Sequence, residues 1–460
     1  MKLINYQRLG RNNGTPRLWI ESGRLSRLGF DSGTSFTLRH QDNGIALIPD
    51  KLGRQHVSSR QVSLGRRPII DICSKEKLGT LENFDEIRVS ASFEQILLFP
   101  SHRAVLLNRR RKPEVPFRTV EYCVGGGTLS QAFASNPKFK LILGLEIEPN
   151  YSDVWERAHP QAELWSADMR LVHPTEVPEH DVFIAGIPCD DHSNMGRAKK
   201  KLAGKPESGE KGDLFLSITS LISHHMPNAV VVENVVSYGS SMAGTSLRVH
   251  LERMGYQCVE HILDPNAQWD EPSDRKRWIL IALLKEGFAL HVPNTPFAGQ
   301  ACDYLDPANP EQDEREARHI AATIVGLRAH NKRHAAQGHG FAMTCLNGNE
   351  TKIPTIPKSY HKINTGPFVN TPFGPRMLRK HEIERIMGAT IDTPHYATAV
   401  QILGQGVQTR IFRDIFQQLG DFLDGTTPPA ESQPLMVAPL TLPTVQSFIP
   451  AAPAGQLALL

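Results

Sequence analysis

Two reactive side chains directly follow apolar runs that are typical of strands. Cys189 comes after the run 181–186, and Glu233 comes after the run 229–232. Open α/β sheets place their chemistry at the carboxyl ends of strands. A thiol is a strong nucleophile once it is ionised, and a carboxyl group can hold or share a proton. The pair therefore indicates an enzyme that uses covalent nucleophilic catalysis.

A glycine-rich turn follows an earlier strand-like run. Gly125 and Gly127 lie where a strand leads into a helix, and there backbone amides approach a ligand closely and favour negative charge. Glu146 ends the next run, at a place where an acid commonly binds the hydroxyls of a ribose. Asp168 follows a third run, in a position to meet an adenine amino group. Together these residues predict an adenosine-bearing cofactor, and the missing phosphate-loop lysine argues against ATP hydrolysis.

Composition is that of an ordinary soluble protein, and the length predicts two or three domains. The chain has 460 residues, of which 40% are hydrophobic and 22% are charged. It has no apolar run long enough to span a membrane and no signal-peptide core at the N-terminus. Its six cysteines are scattered without a CxxC pair, which argues against a zinc site or a disulfide framework. We therefore expect a cytoplasmic protein.

Composition and periodicity divide the chain into four zones and a tail. The first zone is β-rich and basic, with 20 Lys and Arg against 11 Asp and Glu, whereas the rest of the chain is slightly acidic. This asymmetry suggests an accessory surface for a polyanion, and a merely solvated basic face is the alternative. The second zone alternates strands and helices, the third is irregular, the fourth is helical, and the tail is predicted to be disordered. These zones cover residues 1–115, 116–285, 286–370, 371–424 and 425–460.

The first zone contains two similar units of three β-like runs. The runs are residues 18–20, 34–38 and 45–49 in one unit, and 69–72, 87–89 and 95–100 in the other. Neither unit can bury a core alone, so we expect the two to pair with each other or with another subunit. The pattern resembles the swapped-hairpin DNA-binding domains of AbrB-type and SymE-type proteins. That resemblance implies an accessory module for DNA binding or dimerisation; a β extension that only supports the catalytic domain is the alternative.

Residues 118–285 and 371–424 resemble the cytosine-C5 DNA methyltransferase family, motif by motif and in order. The matching positions are the glycine turn at 123–128, Glu146, Asp168, Pro188-Cys189, Glu233-Asn234-Val235, Arg275-Lys276-Arg277, Arg376-Met377-Leu378, Glu382, Arg385–Gly388 and Gly404–Val407. The resemblance implies an α/β fold, with a Rossmann-like S-adenosylmethionine-dependent methyltransferase domain. It also implies a small target-recognition domain at 286–370.

The resemblance implies a mechanism. Cys189 would attack C6 of a cytosine flipped out of duplex DNA, with its pKa lowered by a helix N-terminus and neighbouring cations. Glu233 would hydrogen-bond N3 and the amino group, and C5 would then take the methyl group of S-adenosylmethionine. No metal is required. The supporting catalytic residues would be Pro188, which aims the thiol, Asn234, which fixes the loop, and Arg275 and Arg277, which hold the target nucleotide and Glu233.

Further site residues follow from the same resemblance. The cofactor would be bound by Cys123, Gly125, Gly127, Thr128, Leu129, Glu146, Ile147, Asp168, Met169, Gln405 and Gly406. Residues 194–212 correspond to a mobile loop that closes over the DNA, and the candidate DNA contacts are Ser193, Arg197, Lys199, Lys200, Lys201, Lys358, His361 and Lys362.

Several positions depart from the family pattern. Cys123 stands where an aromatic residue usually stacks on adenine, and Ser273 replaces a glutamine. Arg379 and His381 replace a threonine and an arginine in the motif that spans residues 376–388. The acids Asp190 and Asp191 would raise the thiol pKa unless the loop lysines pair with them.

The prediction is therefore a divergent, cytoplasmic DNA cytosine-C5 methyltransferase of bacterial, phage or plasmid type. Its expected partners are double-stranded DNA and, through the N-terminal module, a second copy of the chain. The alternatives are the same chemistry on RNA or with a modified donor, and a DNA-binding regulator whose catalytic site has decayed.

Overall fold

The structure of the chain is a computed structural model, which describes residues 3–41, 44–63, 65–110, 113–193, 206–335, 343–363 and 366–426. Four of the candidate DNA contacts, Arg197 and Lys199–Lys201, lie outside these residues, and so does all but the start of the predicted disordered tail. Among the described helices, none has the length and apolar character needed to cross a membrane.

Ten strands and one short helix form the N-terminal module. One sheet has the strand order β1-β9-β10-β5-β4-β6 and the other has the order β2-β3-β8-β7. The apolar faces of both sheets meet in a single core. The bounds are β1 (Leu3–Arg8), β2 (Gly10–Asn12), β3 (Thr15–Glu21), β4 (Ser35–Gln41), β5 (Gly44–Pro49), β6 (Gln55–His56), β7 (Ser58–Val62), β8 (Gly65–Cys73), α1 (Lys75–Leu78), β9 (Glu86–Ser92) and β10 (Gln95–Pro100).

The two predicted units pair with each other within one chain. Strands β3 and β8 are antiparallel partners, and so are β5 and β10. Exchanging the first five strands with the last five leaves the strand order of both sheets unchanged, so the module has an internal pseudo-two-fold arrangement. Of the two predicted pairings, the one within the chain is therefore the one observed.

A helix links the module to the rest of the molecule. Helix α2 (His102–Arg110) places Leu106 in the core of the following domain. The guanidinium of Arg103 donates a hydrogen bond to the carbonyl of Met254 (2.8 Å). The His102 ring lies 6.0 Å from the His224 ring.

The central sheet has seven strands in the order β13-β12-β11-β14-β15-β17-β16. Neighbouring strands are parallel except at β17, which is antiparallel to both of its neighbours. Strands β14, β15 and β17 are almost wholly buried, as their continuous apolar sequences predict. The bounds are β11 (Phe117–Tyr122), β12 (Phe139–Glu146), β13 (Glu163–Ser166), β14 (Val182–Gly186), β15 (Ala229–Asn234), β16 (Gln257–Leu263) and β17 (Arg277–Leu283).

Helices cover this sheet, and they include the last helix of the chain. Phe412 and Phe416 of that helix pack into the same core as Phe133 and Phe139. The helices up to the end of β17 are α3 (Ser130–Ala134), α4 (Pro149–Ala158), α5 (Leu214–His225), α6 (Val236–Gly239), α7 (Met242–Arg253) and α8 (Pro265–Gln268).

The third zone contains a long helix and a three-stranded sheet. Strands β19 and β20 form one antiparallel hairpin that crosses the predicted boundary at residue 370. The predicted boundary therefore divides a hairpin, which is a single hydrogen-bonded unit. Phe288 and Leu290, predicted in this zone, belong instead to the catalytic core. The remaining bounds are α9 (Pro310–Ala335), β18 (Cys345–Leu346), β19 (Phe368–Thr371), β20 (Gly374–Met377), α10 (Lys380–Met387), α11 (Tyr396–Gln405) and α12 (Thr409–Asp424).

Candidate functional site

A deep cleft lies at the carboxyl ends of the parallel strands. It encloses about 1270 Å³, a volume that includes the open solvent at its mouth. Its walls hold Cys123, Gly125, Thr128, Leu129, Glu146, Ile147, Asp168, Met169, Pro188, Cys189, Glu233, Asn234, Arg277, Lys358, Gln405 and Gly406.

The glycine turn between β11 and α3 forms one wall. Gly125 and Gly127 have positive φ values of 54° and 90°, which side chains rarely adopt. Gly126 has no room for a Cβ, because one would lie 2.4 Å from the Ile402 side chain. These glycines are needed for the turn itself and for its close contact with α11.

Two acids follow the next two strands, as predicted. Glu146 is 8% exposed, and one of its carboxylate oxygens accepts from the amide of Gly125 (2.8 Å). The other oxygen accepts from the amides of Ile147 and Glu148. Glu146 therefore fixes the glycine turn relative to the end of β12. A ligand hydroxyl at this carboxylate would share it with those amides.

Asp168 has a cation as its neighbour. The Arg170 guanidinium donates to both of its carboxylate oxygens at 2.7–3.1 Å. These hydrogen bonds hold the pKa of Asp168 below its usual range. The carboxylate stays ionised and is oriented toward the cleft wall.

Cys123 takes the place of the expected aromatic residue. Its φ is 58°, a left-handed conformation that is unusual for a residue other than glycine. Its sulfur lies 3.7 Å from the sulfur of Met169. This part of the wall is therefore lined by two polarisable sulfur atoms instead of a ring.

Cys189 lies at the floor of the cleft. Burial raises the pKa of its thiol, and the charges of Asp190 and Glu233 raise it further. Arg277 and Arg275 act in the opposite direction, but their effect is smaller than that of burial. The prediction of a lowered thiol pKa is therefore wrong for the protein without substrate, because desolvation of the thiolate outweighs the nearby cations.

The two acids after Cys189 are paired with a lysine. The ammonium of Lys211 lies 2.5 Å from Asp190, and its backbone amide donates to Asp191 (2.8 Å). This is the pairing with a loop lysine that the sequence required. It limits how far the acids raise the thiol pKa.

Glu233 faces the same cleft from the end of β15. It is 6% exposed, and Arg277 lies 2.8 Å from one of its carboxylate oxygens. The other oxygen lies near Gly186, where an added Cβ would be 3.8 Å from it. Burial raises the pKa of Glu233 although Arg277 and Arg275 lower it.

Arg275 differs from its predicted role. It is buried, and its guanidinium donates to the carbonyls of Gly406 (2.8 Å), Gly404 (2.9 Å) and Ile356 (3.3 Å). These bonds occupy its donors with main-chain groups. Arg275 therefore joins the small domain to residues 404–407, the late motif. Arg277 alone of the two contacts Glu233.

Asn234 ties the two catalytic segments together. Its side-chain amide donates to the carbonyl of Ile187 (3.1 Å), directly before Pro188 and Cys189. Its carbonyl oxygen accepts from the amide of Val235 (2.8 Å). The bond fixes the loop that carries the thiol relative to β15.

The candidate DNA contacts that the structure describes are dispersed. Lys358 lines the cleft, with its ammonium 5.2 Å from the centre of the Tyr151 ring. His361 is half-buried beside Gln401 (3.4 Å), whereas Lys362 is exposed. The amide of Ser193 donates to the carbonyl of Cys189 (2.8 Å).

The late motif is fastened to the glycine turn. The Thr128 hydroxyl accepts from the amide of Val407 (3.2 Å), and the Thr128 carbonyl accepts from the Thr409 hydroxyl (3.0 Å). A Cβ at Gly406 would lie 2.3 Å from the Thr128 hydroxyl. Glycine is therefore required at position 406 for this close approach.

The departures at Arg379 and His381 have a common partner. Both side chains bind Asp306, at 3.1 Å and 2.5 Å. Arg379 also binds Asp313 (2.8 Å) and Glu316 (3.1 Å) of α9 and its N-terminal turn. These substitutions attach α10 to the small domain.

Sequence reasoning missed Tyr151 and Ile402, which form part of the cleft wall. Lys211, which pairs with Asp190, was expected only as one of the loop lysines. The consecutive acids at 190 and 191 signalled that a cation was needed nearby. Tyr151 and Ile402 resemble ordinary apolar helix positions, and only the tertiary contact between α4, α11 and the glycine turn reveals their place.

Comparison with known proteins points to one enzyme family. The family model described as C-5 cytosine-specific DNA methylase matches residues 117–420. A type II methyltransferase, M.MspI from Moraxella sp, is 25% identical over 314 residues, which cover 66% of this chain and 70% of that protein. M.NlaX from Neisseria lactamica is 24% identical over 312 residues, which cover 66% of this chain and 96% of that protein.

Solved structures share the fold. The Dnmt2 methyltransferase of S. pombe aligns with a TM-score of 0.54 at 16% identity, covering 66% of this chain and 98% of that one. The EhMeth methyltransferase of Entamoeba histolytica aligns with a TM-score of 0.53 at 16% identity, covering 67% and 98%. The predicted α/β methyltransferase fold is confirmed.

Proposed function

This chain belongs to the C-5 cytosine-specific DNA methylase family, and we propose that Cys189 and Glu233 carry out its reaction. That reaction transfers a methyl group from S-adenosylmethionine to C5 of a cytosine in DNA, through a covalent enzyme–base intermediate. The observation that carries the assignment is the meeting of Cys189, Glu233 and Arg277 in one cleft with the glycine turn.

The cleft's own residues account for each change at the base. The thiolate of Cys189 forms a bond to C6, and electron density moves to C5. The carboxyl group of Glu233 hydrogen-bonds N3 and the amino group and so stabilises the charge of the ring. After C5 gains the methyl group, a water molecule takes the C5 proton, the double bond between C5 and C6 forms again, and the bond from C6 to sulfur breaks, which returns the thiolate.

The protonation state of Glu233 suits this role. Its raised pKa favours the protonated carboxyl group, which can donate to the unprotonated N3 of cytosine. Arg277 orients the carboxyl group through the oxygen at 2.8 Å. Arg277 and Arg275 also favour the ionised thiol, although burial opposes them.

The remaining wall of the cleft fits the cofactor. S-adenosylmethionine supplies an activated methyl group, and its own charges include one carboxylate. Gly125, Glu146 and Asp168 form the part that suits its adenosine, with the two sulfur atoms of Cys123 and Met169 in place of a stacking ring. We assign Lys358 to the carboxylate, because the other described cations of the cleft, Arg170, Lys211 and Arg277, each have an acidic partner.

Covalent trapping tests the proposal. In the presence of S-adenosylmethionine, we expect the full chain to form a stable adduct with duplex DNA that contains 5-fluorocytosine, because after methyl transfer a base cannot remove fluorine from C5 as it removes hydrogen. Mass spectrometry should locate the adduct at Cys189, and methyl transfer from labelled S-adenosylmethionine to ordinary duplex DNA should accompany it. Cys189→Ser should abolish both, whereas Cys302→Ser, which removes an exposed thiol, should change neither.

The same experiment separates the alternatives. An adduct with fluorinated RNA and none with DNA would favour the RNA reaction. Absence of an adduct with any nucleic acid would favour a regulator without catalytic activity. Either result contradicts the proposal.

Homodimerisation through the N-terminal module stays a prediction. The pairings of β3 with β8 and of β5 with β10 are made within one chain, so a dimer would have to use other edges. Light scattering after size exclusion tests it, with a mass near twice 51.2 kDa as the supporting result.

A further inference from the structure

The pseudo-two-fold arrangement gives the N-terminal module two edges that correspond in fold. The first, here called the arginine edge, consists of residues 22–34, 57–63 and 65–68. The second, the counterpart edge, consists of residues 74–85 and 9–16. In the arginine edge, the segment after β3 lies beside the β7–β8 hairpin. In the counterpart edge, the segment after β8 lies beside the β2–β3 hairpin. One hydrogen bond joins the two segments of each edge, and the two bonds occupy corresponding positions. The Val57 amide donates to the Thr34 carbonyl (2.9 Å), and the Leu9 amide donates to the Asp85 carbonyl (3.1 Å).

The two edges differ sharply in charge. The arginine edge has five arginines and one acid, Asp31, whereas the counterpart edge has three cations and three acids. On the counterpart edge Lys75 pairs with Glu82 (3.3 Å), and Arg11 donates to the Glu82 carbonyl (2.7 Å). Because the backbone arrangement is the same, the difference in charge is not required by the fold.

The arginines of the first edge lie close together and face solvent. Arg60 and Arg67 are opposite each other in the β7–β8 hairpin and share one acid, Glu21, at 2.9 Å and 3.5 Å. Among the described residues, Arg24, Arg27 and Arg66 have no ion-pair partner. The Ser22 amide donates to the Pro68 carbonyl, and this bond brings the two segments together. All five arginines of this edge are exposed.

The chemistry of this edge fits the phosphate backbone of duplex DNA, and we propose that it is a DNA-binding surface. Arginine is suited to bidentate contacts with phosphate, and neighbouring serines such as Ser26, Ser32 and Ser59 supply the hydroxyl donors common in backbone contacts. Single-stranded nucleic acid is usually bound by stacking bases on exposed aromatic rings. The only aromatic residue of the arginine edge is Phe30, which is fully buried. A duplex is therefore the favoured partner.

This surface is additional to the catalytic cleft. The module attaches through α2 to residues near the ends of α5 and α7, which precede β15 and β16. Those contacts lie at the amino ends of the strands, whereas the cleft lies at their carboxyl ends. The proposal rests on the proposed function only in taking DNA as the partner of the chain.

Salt-dependent binding of the full chain tests the proposal. The probe is a fluorescein-labelled duplex of A·T pairs only, which offers no cytosine to the cleft. The variant Arg24→Ala with Arg66→Ala is compared with Lys75→Ala with Lys77→Ala, which removes the same charge from the counterpart edge. Each phosphate contact contributes about 0.9 to the slope of log affinity against log salt. We expect the arginine variant to reduce the slope by about 2 and the lysine variant to leave it nearly unchanged.

Three outcomes would overturn the proposal. The first is an equal salt slope for the wild type and the arginine variant, and the second is an equal reduction of the slope in both variants. Either would show that the arginine edge makes no specific contribution to duplex binding. Loss of single-stranded RNA binding with unchanged duplex binding would assign the edge to RNA instead.

A second readout separates this proposal from the catalytic one. The arginine variant should still form the Cys189 adduct with saturating 5-fluorocytosine duplex, because the cleft is intact. Loss of that adduct at saturation would show that the arginine edge belongs to the catalytic machinery. It would contradict the proposal that the edge is a DNA-binding surface separate from the cleft. Failure of the wild type to form the adduct would refute the proposed function while leaving the slope comparison valid.

Discussion

Burial has opposite consequences for Cys189 and Glu233, the two side chains proposed to be catalytic. It raises the pKa of Glu233 and so favours the protonated group that the base requires. It also raises the pKa of Cys189 and so disfavours the thiolate that must attack. Arg277 is close enough to both groups to influence each of them. A thiol that stays protonated until substrate arrives is protected from oxidation, because the thiolate is the reactive form.

Two lysines of one segment allow a test at the level of single residues. Lys358→Ala should raise the KM for S-adenosylmethionine by roughly 10-fold or more, since a hydrogen bond to a charged group contributes about 1.5–3 kcal/mol. Lys362→Ala is the control, because Lys362 lies four residues further on and is exposed. Steady-state kinetics with saturating DNA measures both variants. An unchanged KM in Lys358→Ala would remove this lysine from the cofactor site.

Residue types and spacing predicted the positions of the candidate reactive groups but not their pairings. Cys189, Glu233 and Glu146 could be placed at the carboxyl ends of strands because each ends or closely follows a strand-like run of distinctive composition. The partners of Arg275 could not be predicted, since the carbonyls of Gly404 and Gly406 lie about 130 residues away along the chain. The place of Lys358 beside Tyr151 could not be predicted for the same reason, because only the folded chain brings the two residues together.

At the scale of elements, the glycine turn is held by parts of the chain that are far apart in sequence. Thr128 binds the segment between α11 and α12, and Arg275, which lies just before β17, binds the same segment. The Ile356 carbonyl of the small domain joins this network through Arg275. The shape of the cofactor wall therefore depends on close packing between the glycine turn and the late motif.

A pair of glycine substitutions tests this dependence. Gly406→Ala should destabilise the fold by about 1–3 kcal/mol, since its methyl group would overlap the Thr128 hydroxyl. It should also weaken S-adenosylmethionine binding. Gly326→Ala, in an open position of α9, should instead raise stability by up to about 1 kcal/mol. Urea unfolding and calorimetric titration measure the two effects, and equal stability of both variants would contradict the argument.

Strong periodicity made most elements predictable, but domain boundaries were less so. The apolar runs before Cys189 and Glu233 are β14 and β15, and the charged stretch near 310–333 lies within α9. The boundary placed at residue 370 falls inside the β19–β20 hairpin. Composition changes there gradually, and the hydrogen bonds that define the hairpin leave no distinct signal in so short a segment.

For the whole molecule, one buried acid should make folding stability depend on pH. Glu121 of β11 is 1% exposed and accepts a hydrogen bond from Ser130, whose hydroxyl oxygen accepts from the Trp155 indole (2.8 Å). Burial raises the pKa of Glu121 to about 8. The folded chain therefore keeps this proton at pH values where the unfolded chain has lost it. The stability contributed is complete below the ordinary value of 4.5 and declines as the pH rises toward 8.

Replacing this acid should reduce the dependence. In Glu121→Gln the free energy of unfolding should fall less between pH 5 and pH 8 than in the wild type, as measured by urea unfolding at each pH. Glu311→Gln, an exposed change in α9, is the control and should follow the wild type. Parallel curves for all three proteins would contradict the assignment.

The joined halves of the N-terminal module also have an evolutionary consequence. In a homodimer, every mutation appears on both faces at once, so the assembly stays symmetric and has no preferred direction. Two copies fused in tandem accumulate changes independently while still sharing one core. One copy can thus acquire a new role while the other preserves the architecture. The module then has two unlike faces, and a long ligand would bind to only one of them.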